Sequence, residues 1–228
     1  MNTESHQGSS TPRGEHEGWL NVIDASDLDA HMVSVGQAQS NAGLVKDMFA
    51  HARPAKNSAF LVHGCGTCQM FEYFGLDTFG TKNITLADFS PKLLEVAKKR
   101  VKGLGEPSLQ IVQDDIEHTS LSPGFGAVLL VLVLLHVNWQ RALENMIGLG
   151  VSKLYIVEQA ERHGAFSMTS AVNPLPSMQR FKEIVSPVLV SRDDLVDFLG
   201  KKGFRNVWSA EREVPGNKSM LGLVFSAG

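Results

Sequence analysis

The stretch that decides the fold is Ala59-Phe-Leu-Val-His-Gly-Cys-Gly-Thr-Cys-Gln69. A short apolar strand runs here into a turn with two glycines, and a helical pattern follows. Because Gly64 and Gly66 carry no Cβ, a ligand can approach their backbone closely, and the next helix offers unpaired N–H donors. The third glycine of a dinucleotide-binding G-x-G-x-x-G would fall at Gln69, which argues against that fingerprint. The turn predicts a site for a polar group.

After Pro54, short runs rich in Val, Ile and Leu alternate with segments of helical pattern. This alternation is typical of a parallel sheet with helices on both faces. The predicted strands are Ala59 to Val62, Ile84 to Ala87, Leu109 to Val112, Ala127 to Val133, Leu154 to Val157, one near Val207, and Met220 to Phe225. Ser90-Pro91 predicts the start of a helix between the second and third strands.

The composition predicts one domain, residues 19–228, behind a tail. Residues 1–18 hold almost no large apolar side chain and are predicted to be disordered. Residues 25–52 are predicted to form an N-terminal helical cap of one or two helices. The proline-containing stretch 159–190 is longer than a usual connection, which predicts a lid-like insertion over the substrate.

Charge and hydropathy exclude several partners. The 228 residues have a net charge of −3, so no positive field favours nucleic acid. The longest apolar run, Ala127 to Val137, is too short to span a membrane. The first 18 residues lack the pattern of a secretory signal, and two cysteines predict no disulfide framework, so we expect a cytoplasmic protein. A monomer and a homodimer both remain open.

Two carboxylates follow predicted strands. Asp88 ends the second strand about twenty residues beyond the glycines, where a carboxylate can accept hydrogen bonds from both hydroxyls of a ribose. Asp115 follows the third strand, where it could accept an adenine amino group. These positions predict a nucleoside-binding edge of the sheet.

The segments VHGCGTC, TLADFSPKLLEVAKKR, IVQDDIE and GFGAVLLVLVLLHV, in this order, resemble the successive motifs of class I S-adenosylmethionine-dependent methyltransferases of the small-molecule type. The resemblance covers roughly residues 55 to 160. It implies an α/β, Rossmann-like sheet of seven mostly parallel strands with the last one antiparallel. It further implies S-adenosyl-L-methionine as the cofactor and methyl transfer to a small-molecule acceptor, which fits a role in biosynthesis.

The same resemblance assigns roles to individual residues. It places the turn near the methionine part of the cofactor, Asp88 on the ribose, Phe89 on one adenine face, and the end of the fourth strand near the sulfonium. The residues concerned are Gly64, Cys65, Gly66, Asp88, Phe89, Asp115, Ile116, Val131 and Leu132. His63 is a further hypothesis, as a contact of the methionine carboxylate.

Three positions depart from the family pattern. Val62 and Gly126 stand where acidic residues are usual, and Cys68 stands where the last glycine of the loop is usual. They keep open a cofactor-binding protein without methyl transfer, or another S-adenosylmethionine-dependent reaction such as a cyclisation. A nicotinamide-dependent dehydrogenase is the remaining enzyme alternative, and the absent third glycine argues against it.

His136, just after the fourth strand, is the candidate catalytic residue, because a histidine there could deprotonate an acceptor. The alternative is that its ring only packs and hydrogen-bonds. Glu158 could orient an acceptor or interact with water. Other candidates for the acceptor pocket are His31, Gln37, Gln39, Asn41, His163, Phe166, Met168, Met178 and Phe181.

No metal site is predicted. Cys65 and Cys68 form a C-x-x-C without a second cysteine pair, and the eight histidines form no H-x-x-x-H or H-E-x-x-H motif. A structural role for both cysteines is therefore the interpretation that the sequence favours.

Overall fold

The computed structural model describes residues 13–81, 83–102, 109–161, 175–216 and 218–228. The strands are β1 Ala59–His63, β2 Ile84–Asp88, β3 Gln110–Gln113, β4 Phe125–Val131, β5 Lys153–Glu161, β6 Phe204–Val214 and β7 Lys218–Ala227. The α-helices are α1 Arg13–Glu17, α2 Ala25–Ser34, α3 Gln37–His51, α4 Pro91–Lys102, α5 Trp139–Gly148, α6 Pro176–Ile184 and α7 Arg192–Lys201. Single 3₁₀ turns at Gln69–Glu72, Leu76–Phe79, Ile116–His118 and Leu134–His136, and a π-helical turn at Gly18–Val22, complete the regular structure.

The seven strands form one sheet in the order β3-β2-β1-β4-β5-β7-β6. Strands β1 to β5 pair in parallel, whereas β7 lies antiparallel to both of its neighbours, β5 and β6. The predicted fold, a mostly parallel seven-stranded sheet whose last strand is antiparallel, is confirmed.

Alternation along β1 divides the core between the two faces of the sheet. Phe60 and Val62 pack into one cluster with residues of α3 and α4, and Leu61 packs into the other with residues of α5 and α7. Successive side chains of a strand point to opposite faces, and both faces are covered. This is why the strands are continuous apolar runs in the sequence.

The helix predicted after Ser90 is α4, which begins at Pro91. Its apolar stripe of Leu93, Leu94, Ala97 and Val101 is buried, and the last turn carries Lys99, Arg100 and Lys102. Cations are favoured there by the helix dipole.

The N-terminal segment differs from the prediction of disorder over residues 1–18. Residues 1–12 lie outside the described residues, but residues 13–17 form α1 and the π-helical turn follows directly. The segment packs against distant residues: the Glu15 side chain is buried, and a Cβ at Gly18 would lie 2.5 Å from Val185 Cγ2. The predicted cap over 25–52 is the helix pair α2 and α3.

The predicted insertion at 159–190 begins inside the sheet. Strand β5 extends four residues beyond the predicted end at Val157, because Glu158 to Glu161 pair with Leu221 to Lys218 of β7. Residues 162–174 lie outside the described residues. Helix α6 then packs with the N-terminal segment, where Met178, Phe181 and Val185 share a cluster with Ile23. Among the described helices, none has the length and apolarity to cross a membrane.

Candidate functional site

A cavity of about 270 Å³ lies at the carboxyl ends of the parallel strands, under the N-terminal helices and α6. Ligands of open α/β sheets bind at this edge. The structure brings all eleven sequence-predicted site residues to this cavity: His63, Gly64, Cys65, Gly66, Asp88, Phe89, Asp115, Ile116, Val131, Leu132 and His136.

The cavity has two halves, which we name after their central residues. The Asp88 half comprises the glycine turn at residues 64–66, Asp88, Phe89 and Asp115. The His136 half comprises Glu15, Trp19, His136, Gln159 and Phe181.

The glycine turn needs its glycines for different reasons. Gly64 has φ +68°, and a Cβ there would lie 2.3 Å from Val133 Cγ2, so the turn packs closely on the segment after β4. Gly66 has φ +55°, and a Cβ there would meet no atom within 4 Å. Cys68, where the family pattern has glycine, also has a left-handed φ of 59°, which costs a side-chain-bearing residue about 1–2 kcal/mol. The backbone at Cys68 therefore has a conformation that glycine adopts without this cost.

Asp88 is fixed by two backbone donors. Its Oδ2 accepts from Gly66 N at 2.7 Å and its Oδ1 accepts from Ser90 N at 2.8 Å. Burial raises the pKa of the Asp88 carboxyl, and these N–H groups oppose that effect. Each carboxylate oxygen has a further lone pair, so Asp88 can accept hydrogen bonds from a ligand in the cavity.

Phe89 and Asp115 flank Asp88. The Phe89 ring stacks on the His16 ring of α1, with ring centroids 4.8 Å apart. Asp115 caps the next 3₁₀ turn, since its Oδ1 accepts from Glu117 N at 2.9 Å, and its Oδ2 lies 3.0 Å from His118 Nδ1. The Asp88 half thus offers an aromatic face beside two oriented carboxylates.

His63 has a partner that sequence reasoning missed. Its Nε2 lies 2.9 Å from Asp114 Oδ2, and both side chains are buried. Burial opposes ionisation of Asp114, but hydrogen bonds from His63, Thr119 and Ser120 outweigh it and lower the pKa of Asp114 to about 2. The Nδ1 of His63 is buried without a partner among the described residues. It is therefore the His63 nitrogen that remains for a ligand.

Asp29 is a second residue that the sequence did not single out. Its carboxylate on α2 accepts from Arg100 Nη2 at 2.7 Å and from the Thr67 hydroxyl, and its carbonyl accepts from Gln69 Nε2 at 2.9 Å. These contacts hold α2 against the residues that follow the glycine turn, and Arg100 balances the charge of the carboxylate. No local sequence pattern links residues so far apart along the chain.

His136 lies on the 3₁₀ turn after β4, and its Nδ1 is 3.0 Å from Glu15 Oε2. The Glu15 side chain is 2% exposed and that of His136 is 13% exposed. The rings of Trp19 and Phe181 are T-shaped relative to the imidazole, with centroids 5.0 and 6.1 Å away. Glu15 falls in the segment predicted to be disordered, and its polar neighbours gave no signal of burial.

Glu158 is placed differently from the expectation that it lies at the cavity edge. In the described part of the chain it does not line the cavity; its Oε1 accepts from Leu134 N at 3.1 Å. Burial raises the pKa of Glu158 to about 8. It therefore supports the turn that carries His136 instead of facing a ligand.

The other acceptor-pocket candidates divide into three groups. His31, Gln37, Asn41, Met178 and Phe181 line the cavity. Gln39 is exposed and lies away from it. His163, Phe166 and Met168 lie outside the described residues. Sequence reasoning missed Gln159 of β5, whose Oε1 accepts from Gln37 Nε2 at 3.5 Å.

The described residues contain no cluster of three His, Cys, Asp or Glu that could hold a metal ion. Cys65 and Cys68 are buried free thiols. A hydrogen bond with Cys68, together with burial, raises the pKa of the Cys65 thiol. Such a thiol is a poor nucleophile.

Part of the chain matches a known protein family. Residues 61–149 match a family model described as a methyltransferase domain. No curated protein sequence matches the chain.

Solved structures of low sequence identity share the fold. Magnesium protoporphyrin IX methyltransferase (ChlM) from Synechocystis PCC 6803 with bound SAH is 15% identical, with a TM-score of 0.62, over 85% of this chain and 84% of that one. N-methyltransferase NodS from Bradyrhizobium japonicum WM9 in complex with S-adenosyl-L-homocysteine is 15% identical, with a TM-score of 0.59, over 84% and 87%. The [4+2]-cyclase SpnF is 14% identical, with a TM-score of 0.60, over 82% and 80%.

The chain therefore shares the fold of solved methyltransferases that bind S-adenosylhomocysteine. Residues 61–149 are similar to the methyltransferase domain family.

Proposed function

We propose that this protein binds S-adenosyl-L-methionine in the Asp88 half of the cavity and transfers its methyl group to a small-molecule acceptor in the His136 half. The observation that carries the proposal is the buried Asp88 carboxylate, which Gly66 N and Ser90 N hold at the edge of a cavity in a methyltransferase fold.

The residues of the Asp88 half fit this cofactor. Asp88 has lone pairs for the ribose hydroxyls, Phe89 and Ile116 offer apolar surface for adenine, and Asp115 lies at its edge. The open side of Gly66 leaves room for the methionine part beside Gly64 and Cys65. Val131 and Leu132 lie at the end of β4, next to the turn that carries His136. When bound, S-adenosylmethionine supplies a methyl group on a sulfonium.

His63 enters the proposal in a narrower role than the sequence suggested. Since Nε2 is engaged by Asp114, only Nδ1 remains for the methionine part of the cofactor. The His63–Asp114 pair lies near Asp88, and the electrostatic effect of His63 favours the ionised form of the Asp88 carboxyl.

The proposed reaction needs orientation and one proton transfer. The acceptor atom forms a bond to the methyl carbon while the carbon–sulfur bond breaks, and that electron pair stays on the sulfur. His136 takes the proton that an oxygen, nitrogen or sulfur acceptor loses. Orientation can supply about 7–11 kcal/mol of barrier reduction, and a base adds roughly 10²- to 10⁴-fold.

The departures from the family pattern have local explanations. A Cβ at Gly126 would lie 2.8 Å from Ser58 Cβ, so packing disfavours an acidic residue there. Val62 is 1% exposed and packs in the core. These observations support methyl transfer over the alternative of cofactor binding without it. A cyclisation remains the second candidate reaction, because the [4+2]-cyclase SpnF has a similar fold.

We place the reaction in the cytoplasm, in the biosynthesis of a small molecule. The cavity supports a small acceptor, since its lining combines Trp19, Met178 and Phe181 with the polar His31, Asn41 and Gln159. Such a lining suits a partly apolar molecule with polar groups.

The test is a calorimetric titration with S-adenosylhomocysteine of the wild type, Asp88→Ala and the control Asp197→Ala, which changes an exposed carboxylate on α7. We expect the wild type and the control to bind alike. Asp88→Ala should bind at least 10- to 100-fold more weakly, because each charged hydrogen bond contributes about 1.5–3 kcal/mol. A wild type that does not bind, or an unaffected Asp88→Ala, would overturn the assignment. A measurement of whether the methyl group of S-adenosylmethionine is consumed distinguishes methyl transfer from cofactor binding without transfer and from a cyclisation.

A further inference from the structure

One short helix contacts both halves of the cavity. From α1, His16 stacks on Phe89, and Glu15 reaches His136 Nδ1 at 3.0 Å. The contact joins residues 121 positions apart in the sequence. Nothing in the proposed function requires a carboxylate behind His136, so Glu15 needs its own explanation.

The chemistry of this contact determines where the imidazole carries its proton. A carboxylate can only accept a hydrogen bond, so Nδ1 of His136 must be the donor. In the neutral ring the lone pair then lies on Nε2. Among the described residues none is hydrogen-bonded to Nε2, and His136 lines the cavity.

The neighbours of Glu15 fix its position. His16 is held by Phe89 on one side. On the other side, a Cβ at Gly18 would lie 2.5 Å from Val185 Cγ2 and 2.9 Å from Phe181 Cε2, so this turn packs tightly on α6. The Trp19 ring is T-shaped relative to the His136 ring, with centroids 5.0 Å apart. Neither partner of the pair can move far without disturbing these contacts.

The pair is a poor device for stability. Glu15 Oε1 is buried without a partner among the described residues, and an unsatisfied buried polar atom costs about 1–3 kcal/mol, more when it is charged. A buried carboxylate with one oxygen on a histidine and the other unsatisfied points to a role in function.

We propose that Glu15 is a positioning residue, which keeps the proton of neutral His136 on Nδ1 and presents Nε2 to the acceptor as the base. The inference rests on the proposed function. When Nε2 takes a proton from the acceptor, the pair changes from a carboxylate and a neutral imidazole to a carboxylate and an imidazolium. Glu15 stabilises this imidazolium.

The test is ¹⁵N NMR of the histidine side chains, because the ¹⁵N shifts of a neutral imidazole differ between the two tautomers. The His136 signals are assigned by their loss in His136→Asn. In the wild type at a pH where His136 is neutral, we expect the proton on Nδ1. Glu15→Leu, which removes the acceptor that faces Nδ1, should shift the population toward the Nε2–H tautomer that predominates for free imidazole side chains. Glu17→Gln, an exposed change on the same helix, should leave the spectrum as in the wild type.

Two results would overturn the inference: a wild-type His136 with its proton on Nε2, or a folded Glu15→Leu protein with the wild-type tautomer. The first needs no variant, so misfolding of a variant cannot obscure it. The measurement requires neither cofactor nor acceptor. If S-adenosylhomocysteine does not bind the wild type, the proposed function is wrong. The tautomer of His136 can still be measured in that case, so the two failures are distinguishable.

Discussion

The two halves of the cavity are built differently. In the Asp88 half, the key contact is from backbone to side chain, between Gly66 and Asp88, 22 positions apart in consecutive strand-turn units. In the His136 half, the key contact joins two side chains, Glu15 and His136, 121 positions apart. The first arrangement depends on the identity of one side chain, Asp88, whereas the second depends on the identity of two distant residues.

The difference between a contact to a backbone donor and a contact between two side chains determines where specificity can change within one fold. Backbone donors survive most substitutions, so the Asp88 half can persist while its surroundings vary. Side-chain pairs are lost through a single substitution, so the His136 half can change its chemistry without altering the sheet. The structural neighbours at 14–15% identity include both methyltransferases and a cyclase, so proteins with different reactions share this fold.

The largest effect on stability is expected from loss of the buried His63–Asp114 pair. His63→Leu leaves Asp114 buried without its histidine partner, and loss of one partner of a buried pair costs about 3–5 kcal/mol. We expect a decrease of this size in the free energy of unfolding, measured by urea denaturation. The control is His118→Ala, since His118 is 61% exposed beside Asp115 and surface pairs contribute about 0–1 kcal/mol. If His63→Leu and His118→Ala lowered the free energy of unfolding equally, the buried His63–Asp114 pair would contribute no more to stability than a surface pair.

The next largest effect concerns the close packing of Gly64 against Val133. Gly64→Ala adds a Cβ 2.3 Å from Val133 Cγ2 at a φ of +68°. Overpacking and a left-handed alanine together should destabilise the protein by about 2–4 kcal/mol. Val133→Ala removes the clashing methyl groups, so Gly64→Ala should cost only about 1–2 kcal/mol in that background. Additive effects of the two substitutions in thermal or urea unfolding would contradict this contact.

A third prediction concerns pH and the His136 half. The pKa of Glu158 is about 8 in the folded protein, above the ordinary 4.5. The folded state therefore holds this proton more tightly, and the contribution of Glu158 to stability is complete below pH 4.5 and is lost as pH rises to 8. Between pH 6 and pH 8 this loss should be about 2–3 kcal/mol.

Glu158→Gln cannot ionise, so its free energy of unfolding should fall less than that of the wild type over the same pH range. Urea denaturation at pH 6 and pH 8 measures the difference. Glu144→Gln, an exposed change on α5, serves as the control. If the free energies of unfolding of the wild type and Glu158→Gln changed in parallel with pH, the pKa of Glu158 would not be raised in the folded protein.

The sequence predicted the sheet and the Asp88 half because both depend on local patterns. The apolar run at β1, the glycine turn and Asp88 at the end of β2 are close in sequence and repeat in order. The sequence did not predict that residues 13–17 form a helix, because their burial depends on Phe89, His136 and Val185. It did not predict the His63–Asp114 pair either, since strand-end residues can face a ligand or one another.

Strand β7 separates two strands that precede it in the chain, β5 and β6. During synthesis, β5 therefore keeps an open edge of backbone N–H and C=O groups until β7 has left the ribosome. Strand β6, already made, can join the sheet only through β7. Open strand edges favour pairing with other chains. The order of synthesis thus exposes this protein to aggregation at the edge of β5 before the sheet is complete.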